Sequence, residues 1–259
     1  MRFMSGRSVS RRMGLTTPPM PTAQLQTTHP RISINQLGEF VFATNSKKYR
    51  ILRDQKFGNK ITSPYYRPAE NAILRAFNGR VFDPASIAID RSTIEQKEAI
   101  KPQQLAKRAN NSMMLTRFME IEAAARPVDG EHRVVRQNEK IVLDGVTVSV
   151  RPEIVTTCDN GLFSYTKFRF SKSEVSADSS EIILLTLLKF GQEQSRDGRQ
   201  LDPEHTKLID CFNRNVIFGH TLPRVREHQL AMALREIVAI WPTITPPPSG
   251  PLDDLQLAG

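Results

Sequence analysis

In the run KIVLDGVTVSVRPEIV, the pair Asp144-Gly145 stands between two stretches rich in β-branched residues, and few short sequences restrict a chain more strongly. A type I′ turn needs positive φ at both central residues, which Asp-Gly supplies at small cost, so two antiparallel strands are expected to flank it. Asp159-Asn160-Gly161 repeats the turn signal. The LFSYTKFRFSK that follows is rich in aromatic strand formers and reads as the third strand of a meander.

Helical spacing surrounds this sheet. Ser33 is an N-cap candidate for a short helix through Leu37, Phe40 and Val41, and Pro68 fits the first turn of a helix carrying Ala69, Ala72, Ile73, Ala76 and Phe77. An approximate apolar stripe of Leu105, Ala109, Met113, Phe118 and Ile121 predicts a longer helix over Gln103–Ala125, with Pro127 after its end. Beyond the meander, EIILLTLLKF is apolar nearly all round, which predicts a buried helix over Ala177–Phe190 crossing one face of the sheet. TKLIDCF and NVIFG read as short strands, and Pro223 opens a last helix with Leu230, Leu234, Ile237, Val238 and Trp241 at helical spacing. From residue 103 onward the order is α, β, β, β, α, β, β, α.

The ends differ in composition. Residues 1–30 carry Ser, Thr, Pro, Gln and Arg without apolar periodicity and read as a disordered basic tail; TITPPPSGP introduces a flexible C-terminal tail over 243–259. Between them, 31–110 reads as a helical N-terminal subdomain and 111–242 as the core. No apolar run approaches the roughly 20 residues that span a bilayer, so no membrane partner is expected. Cys158 and Cys211 stand alone, without the spacing of a disulfide framework or a zinc site, and a reducing cytoplasm fits them. The five histidines are far apart, and no glycine-rich phosphate loop or nucleophile elbow occurs.

The formal charge is +9, which favours a polyanionic partner through counterion release. Five of the basic residues (Arg2, Arg7, Arg11, Arg12 and Arg31) precede Glu39 with no acid among them, so much of the excess belongs to the tail. Within the sheet region, two polar residues stand where chemistry is expected. Glu153 lies near the end of the second meander strand and Lys167 in the third. Antiparallel strands joined by a turn can bring the two onto one face. A carboxylate there can hold a hard divalent cation, and a lysine can orient water and neutralise phosphate charge. Structural readings exist for both, a strand-end carboxylate paired with Arg151 or Arg169 and a solvated strand lysine.

Through LDGVTVSVRPEIV, the turn at Asn160-Gly161 and YTKFRF followed by a helix, residues 111–241 resemble the PD-(D/E)XK nuclease superfamily, most nearly its RecB-like branch. The resemblance implies an α/β (α+β) fold with an αβββαβ restriction-endonuclease-like core, and an acid plus an acid-X-lysine that bind Mg²⁺ or Mn²⁺. It puts Glu153 at the first acid and Lys167 at the lysine, while Tyr165 occupies the place of the second acid. An upstream helix contributes a further carboxylate in that family. Glu70 is the first candidate here, ahead of Glu39 and Glu120, and Glu181 is the candidate to replace the missing acid. Arg151, Arg169 and Lys172 are the expected phosphate contacts. The implied functions are metal-dependent hydrolysis of nucleic acid, DNA first, or an inactive nuclease-like domain that binds nucleic acid or a protein partner.

Overall fold

Ser33 closes a three-residue strand, β1 (Arg31–Ser33), and caps the helix α1 (Ile34–Val41), its hydroxyl accepting from the Gln36 N–H. The computed structural model describes residues 28–58, 65–170, 176–195 and 198–247. After α1 come α2 (Asn45–Phe57), α3 (Arg67–Ala76) with Pro68 in its first turn, and α4 (Pro84–Gln96), capped by Asp83 through the Ser86 N–H. The long helix expected over Gln103–Ala125 is divided. α5 (Pro102–Glu120) stops where the Ile121 N–H tightens onto the Phe118 carbonyl, and a single turn, α6 (Glu122–Ala125), follows.

The remaining elements are β2 (Glu131–Val134), β3 (Glu139–Leu143), β4 (Val146–Val150), β5 (Ile154–Thr157), β6 (Leu162–Arg169), α7 (Ala177–Gln194), β7 (Gln200–Leu201), β8 (Lys207–Asp210), β9 (Asn215–Phe218) and α8 (Val225–Ile240). Asp144 and Gly145 have φ of 43° and 80°, the positive pair a type I′ hairpin requires. The three-strand meander, however, is corrected to two sheets. β4 pairs with β1 and β3 in a small sheet, while β5 joins a larger one in the order β2-β5-β6-β8-β9, with β7 on the end of β6. Pro152 accounts for the break, since it has no N–H to continue a ladder and restricts the residue before it. On its far side, the Glu153 N–H resumes pairing with the Thr166 carbonyl.

The larger sheet is apolar on both faces. Phe163, Tyr165 and Leu208 face a core shared by α1, α2, α7, α8 and the inner side of the small sheet. Ile154, Phe168 and Ile209 face the other core, filled from α3, α4 and α5. The result is an α+β fold in which 31–110, read from sequence as one helical subdomain, is split by its packing between the two faces. Ile244, assigned from sequence to a flexible tail, is buried, and Lys56 donates to the Ile244 and Trp241 carbonyls. The expected disordered stretch lies outside the described residues except for 28–30, as does the tail after 247. No described helix is long and apolar enough to cross a membrane.

The α1–α7 contact depends on a missing side chain. A Cβ on Gly38 would lie 2.6 Å from the Ser179 carbonyl oxygen and 2.6 Å from Ile183 Cγ1. Gly38→Ala is therefore expected to destabilise by about 1–3 kcal/mol through overpacking. Gly191→Ala meets the flexible end of Leu201 and should cost less. Urea denaturation of both variants checks this ranking, and equal losses would contradict it.

Candidate functional site

The register Ile154↔Thr166 between β5 and β6 extends one step to set Glu153 opposite Lys167. Both side chains are only 3% exposed. Lys167 Nζ lies 3.0 Å from Glu153 Oε1 and 3.3 Å from Oε2, and also donates to the Arg151 carbonyl at 2.9 Å. The second carboxylate oxygen accepts the Phe168 N–H at 2.7 Å. A buried carboxylate and a buried ammonium are each costly to desolvate, and this pair offsets that cost with charge-assisted bonds and a backbone donor.

Arg151 connects the pair to α3. Its guanidinium reaches Glu153 Oε1 at 3.4 Å and, through Nη2, Glu70 Oε1 at 3.2 Å. Four sequence-selected residues, Glu70, Arg151, Glu153 and Lys167, thus form one chain of ionic contacts. Arg169, two residues beyond Lys167 on β6, is buried and pairs with Asp210 at 2.6 Å in the parallel register of β6 and β8. Asp210 also accepts from the Phe212 and Asn213 N–H groups, so it fixes the β8–β9 turn.

These residues open on a cleft of about 530 Å³, where Arg151, Glu153, Lys167 and Arg169 face the first turn of α1. Glu39 lines the same cleft and pairs with Lys47 at 3.3 Å. The N–H groups in the first turn of α1, other than that of Gln36 which Ser33 caps, favour anions. The lining side chains carry three cations against two carboxylates, and Arg151 and Arg169 are also met by Glu70 and Asp210 from outside the lining.

Tyr165 is outside this arrangement. Its ring packs edge-on to Phe163 and against Phe190 in the apolar core, where burial pushes the phenol up to about 12. It supplies neither a metal ligand nor a base near neutral pH. Glu120 pairs with Arg214 and Glu181 with Arg226, so neither completes the cleft. Lys172 lies outside the described residues. Among the described residues, no group of three or more His, Cys, Asp or Glu is placed to hold a metal ion. Sequence reasoning missed Asp210 and the first turn of α1. The former was visible as the one acid in TKLIDCF, but its partner follows only from the β6–β8 pairing.

No protein-family model matches this chain, and no curated protein matches it.

Another buried cation lies on the opposite face of the larger sheet. Lys207, at the start of β8, donates to the Arg126 carbonyl and lies 5.7 Å from the Phe218 ring centroid. Burial lowers its pKa from 10.5 to about 8. Below pH 8 both folded and unfolded chains hold this proton, and the folded state carries the full cost of the desolvated charge. Between about 8 and 10.5 the unfolded chain binds more protons, so stability rises with pH across that window. In Lys207→Met this contribution should vanish, which urea titrations at a series of pH values would register as a flatter profile than wild type.

The Glu153–Lys167 pair gives its own signature. Removing one partner, as in Lys167→Met, should cost roughly 3–5 kcal/mol, because the other charge stays buried. Glu153→Leu combined with Lys167→Met should cost much less than the two single losses added together. Denaturation of the three variants measures the coupling, and simple additivity would show that the pair is not an energetic unit.

Proposed function

We propose that this chain is a PD-(D/E)XK-like domain that binds nucleic-acid phosphates in its cation-lined cleft without using a catalytic metal. One observation carries the reading: the Arg151 guanidinium bridges Glu70 and Glu153, the two carboxylates that would hold a divalent ion, and so already offsets their charge. A metal would have to displace that guanidinium while Lys167 and the Phe168 N–H still hold Glu153. With Tyr165 in place of a second strand acid, the donor set fits poorly around an ion. It suits a phosphate better, because Arg151 is partly exposed at the cleft and the α1 N-terminus faces it.

The convergence of Glu153 with Lys167 favours a second reading, metal-dependent phosphodiester hydrolysis. The two readings separate on one experiment. The full chain is mixed with labelled DNA in Mg²⁺ or Mn²⁺, and both binding and strand integrity are followed. Binding without cleavage, weakened several-fold in Arg151→Ala, is the expected result. Metal-dependent cutting that disappears in Glu153→Ala would replace the proposal with the hydrolytic reading. Absence of binding by folded protein would remove both.

A further inference from the structure

The small sheet has one face in the core and one toward solvent. Ile32, Ile141, Val146, Val148 and Val150 point inward. By the two-residue alternation of strands, the outward set is Arg31 and Ser33 from β1, Lys140 and Val142 from β3, and Thr147 and Ser149 from β4. The pairing aligns them in rows, Arg31–Thr147–Val142 and then Ser33–Ser149–Lys140. Along β4 the next outward position after Ser149 is Arg151 of the cleft. Measured along the strands, the rows holding Arg31, Lys140 and Arg151 succeed one another by two-residue steps of roughly 6.6 Å, with Arg31 and Lys140 on the two outer strands.

This face carries cations and hydroxyls and no carboxylate from its three strands. Arg31 and Lys140 are exposed, and among the described residues neither pairs with an acid; Arg31 donates only to the Gln55 carbonyl. A groove of about 510 Å³ runs over it, lined by His29, Arg31, Lys140 and Thr147, and it shares Ser33 and Ser149 with the cleft. The chain reaches this groove at Thr28, after an acid-free stretch containing Arg2, Arg7, Arg11 and Arg12. Like charge argues against that stretch as the occupant.

We infer that the outward face of β1-β4-β3 is a docking track for the sugar–phosphate backbone of duplex DNA, continuous with the cleft. Charge complementarity and continuity select a polyanion. The absence of aromatic side chains from the six outward positions removes the platform that single-strand stacking uses. Hydroxyls and cations suit contacts to phosphate, which position a duplex without reading its bases. The inference rests on the nucleic-acid reading of the cleft, yet its cations, Arg31 and Lys140, are distinct from those of the cleft.

The test uses the full chain and a fluorescent duplex of arbitrary sequence, with affinity measured by anisotropy over a range of salt concentrations. Arg31→Ala and Lys140→Ala are both at exposed positions and should leave thermal unfolding unchanged. Each is expected to weaken binding and to lower the slope of log affinity against log salt by about 1. Lys101→Ala, at the exposed start of α5, serves as the remote control. If the sheet-face variants match the control while Arg151→Ala weakens binding, the track is overturned and the cleft reading stands. If the sheet-face variants lower the slope while Arg151→Ala does not, the track stands and the cleft reading falls. Tighter binding to single strands, duplex RNA or anionic vesicles than to duplex DNA would overturn the assignment of the partner.

Discussion

The pairing of Glu153 with Lys167 is the constraint on which the surrounding structure depends. Two charges, each 3% exposed, sit at the point where the chain leaves one sheet for another, and neither can tolerate loss of the other. Their geometry requires Pro152 to end β4, the Glu153 N–H to begin the ladder with β6, and the Arg151 carbonyl to face the ammonium. The bend between the sheets and the ionic centre are therefore one feature. The bend brings Arg151 out toward Glu70, and the ionic centre ties the bend to β6.

Placement of the site relative to the cores follows from strand alternation. Phe163, Tyr165, Lys167 and Arg169 succeed one another on one face of β6, so the apolar floor of one core passes directly into the polar lining of the cleft. The change from aromatic to cationic occurs within a single residue step of that face. Tyr165 belongs to the apolar side of the boundary, with its ring against Phe190, and Lys167 to the polar side. This explains how a lysine flanked by aromatic residues remains compatible with a packed sheet: it is satisfied at the edge of the core by Glu153 and a carbonyl rather than by water.

Local signals were legible in the sequence wherever a residue type decides the backbone by itself. Asp144-Gly145 determined a hairpin, Ser33 a helix start, and EIILLTLLKF a buried helix. That Glu153 and Lys167 meet was also legible, because one stands just before β5 and the other on β6, and a short turn joins these strands. What sequence could not provide was sheet membership. Pairing partners depend on non-local contacts, and β2, whose EHRV has only a weak strand pattern, takes the position beside β5 that the hairpin strand was expected to fill. Arg169 was read as a phosphate contact, and its buried bond to Asp210 appears only once β8 is placed parallel to β6. The division of the N-terminal helices between two faces escaped for the same reason, since amphipathic stripes specify that a face is buried but not against what.

Gly38 gives α1 a further significance. The helix is eight residues long, about 12 Å, and near its middle Gly38 lies against the Ser179 carbonyl and the Ile183 side chain of α7, with no room for a Cβ between them. A rod gripped at its centre can pivot but cannot easily shift, so any tilt of α1 at this contact would move its first turn as the short arm of a lever. That turn is the lip of the cleft. The lip of the cleft and α7 therefore share one contact, and the packing at Ser179 and Ile183 sets where the first turn of α1 stands beside the opening.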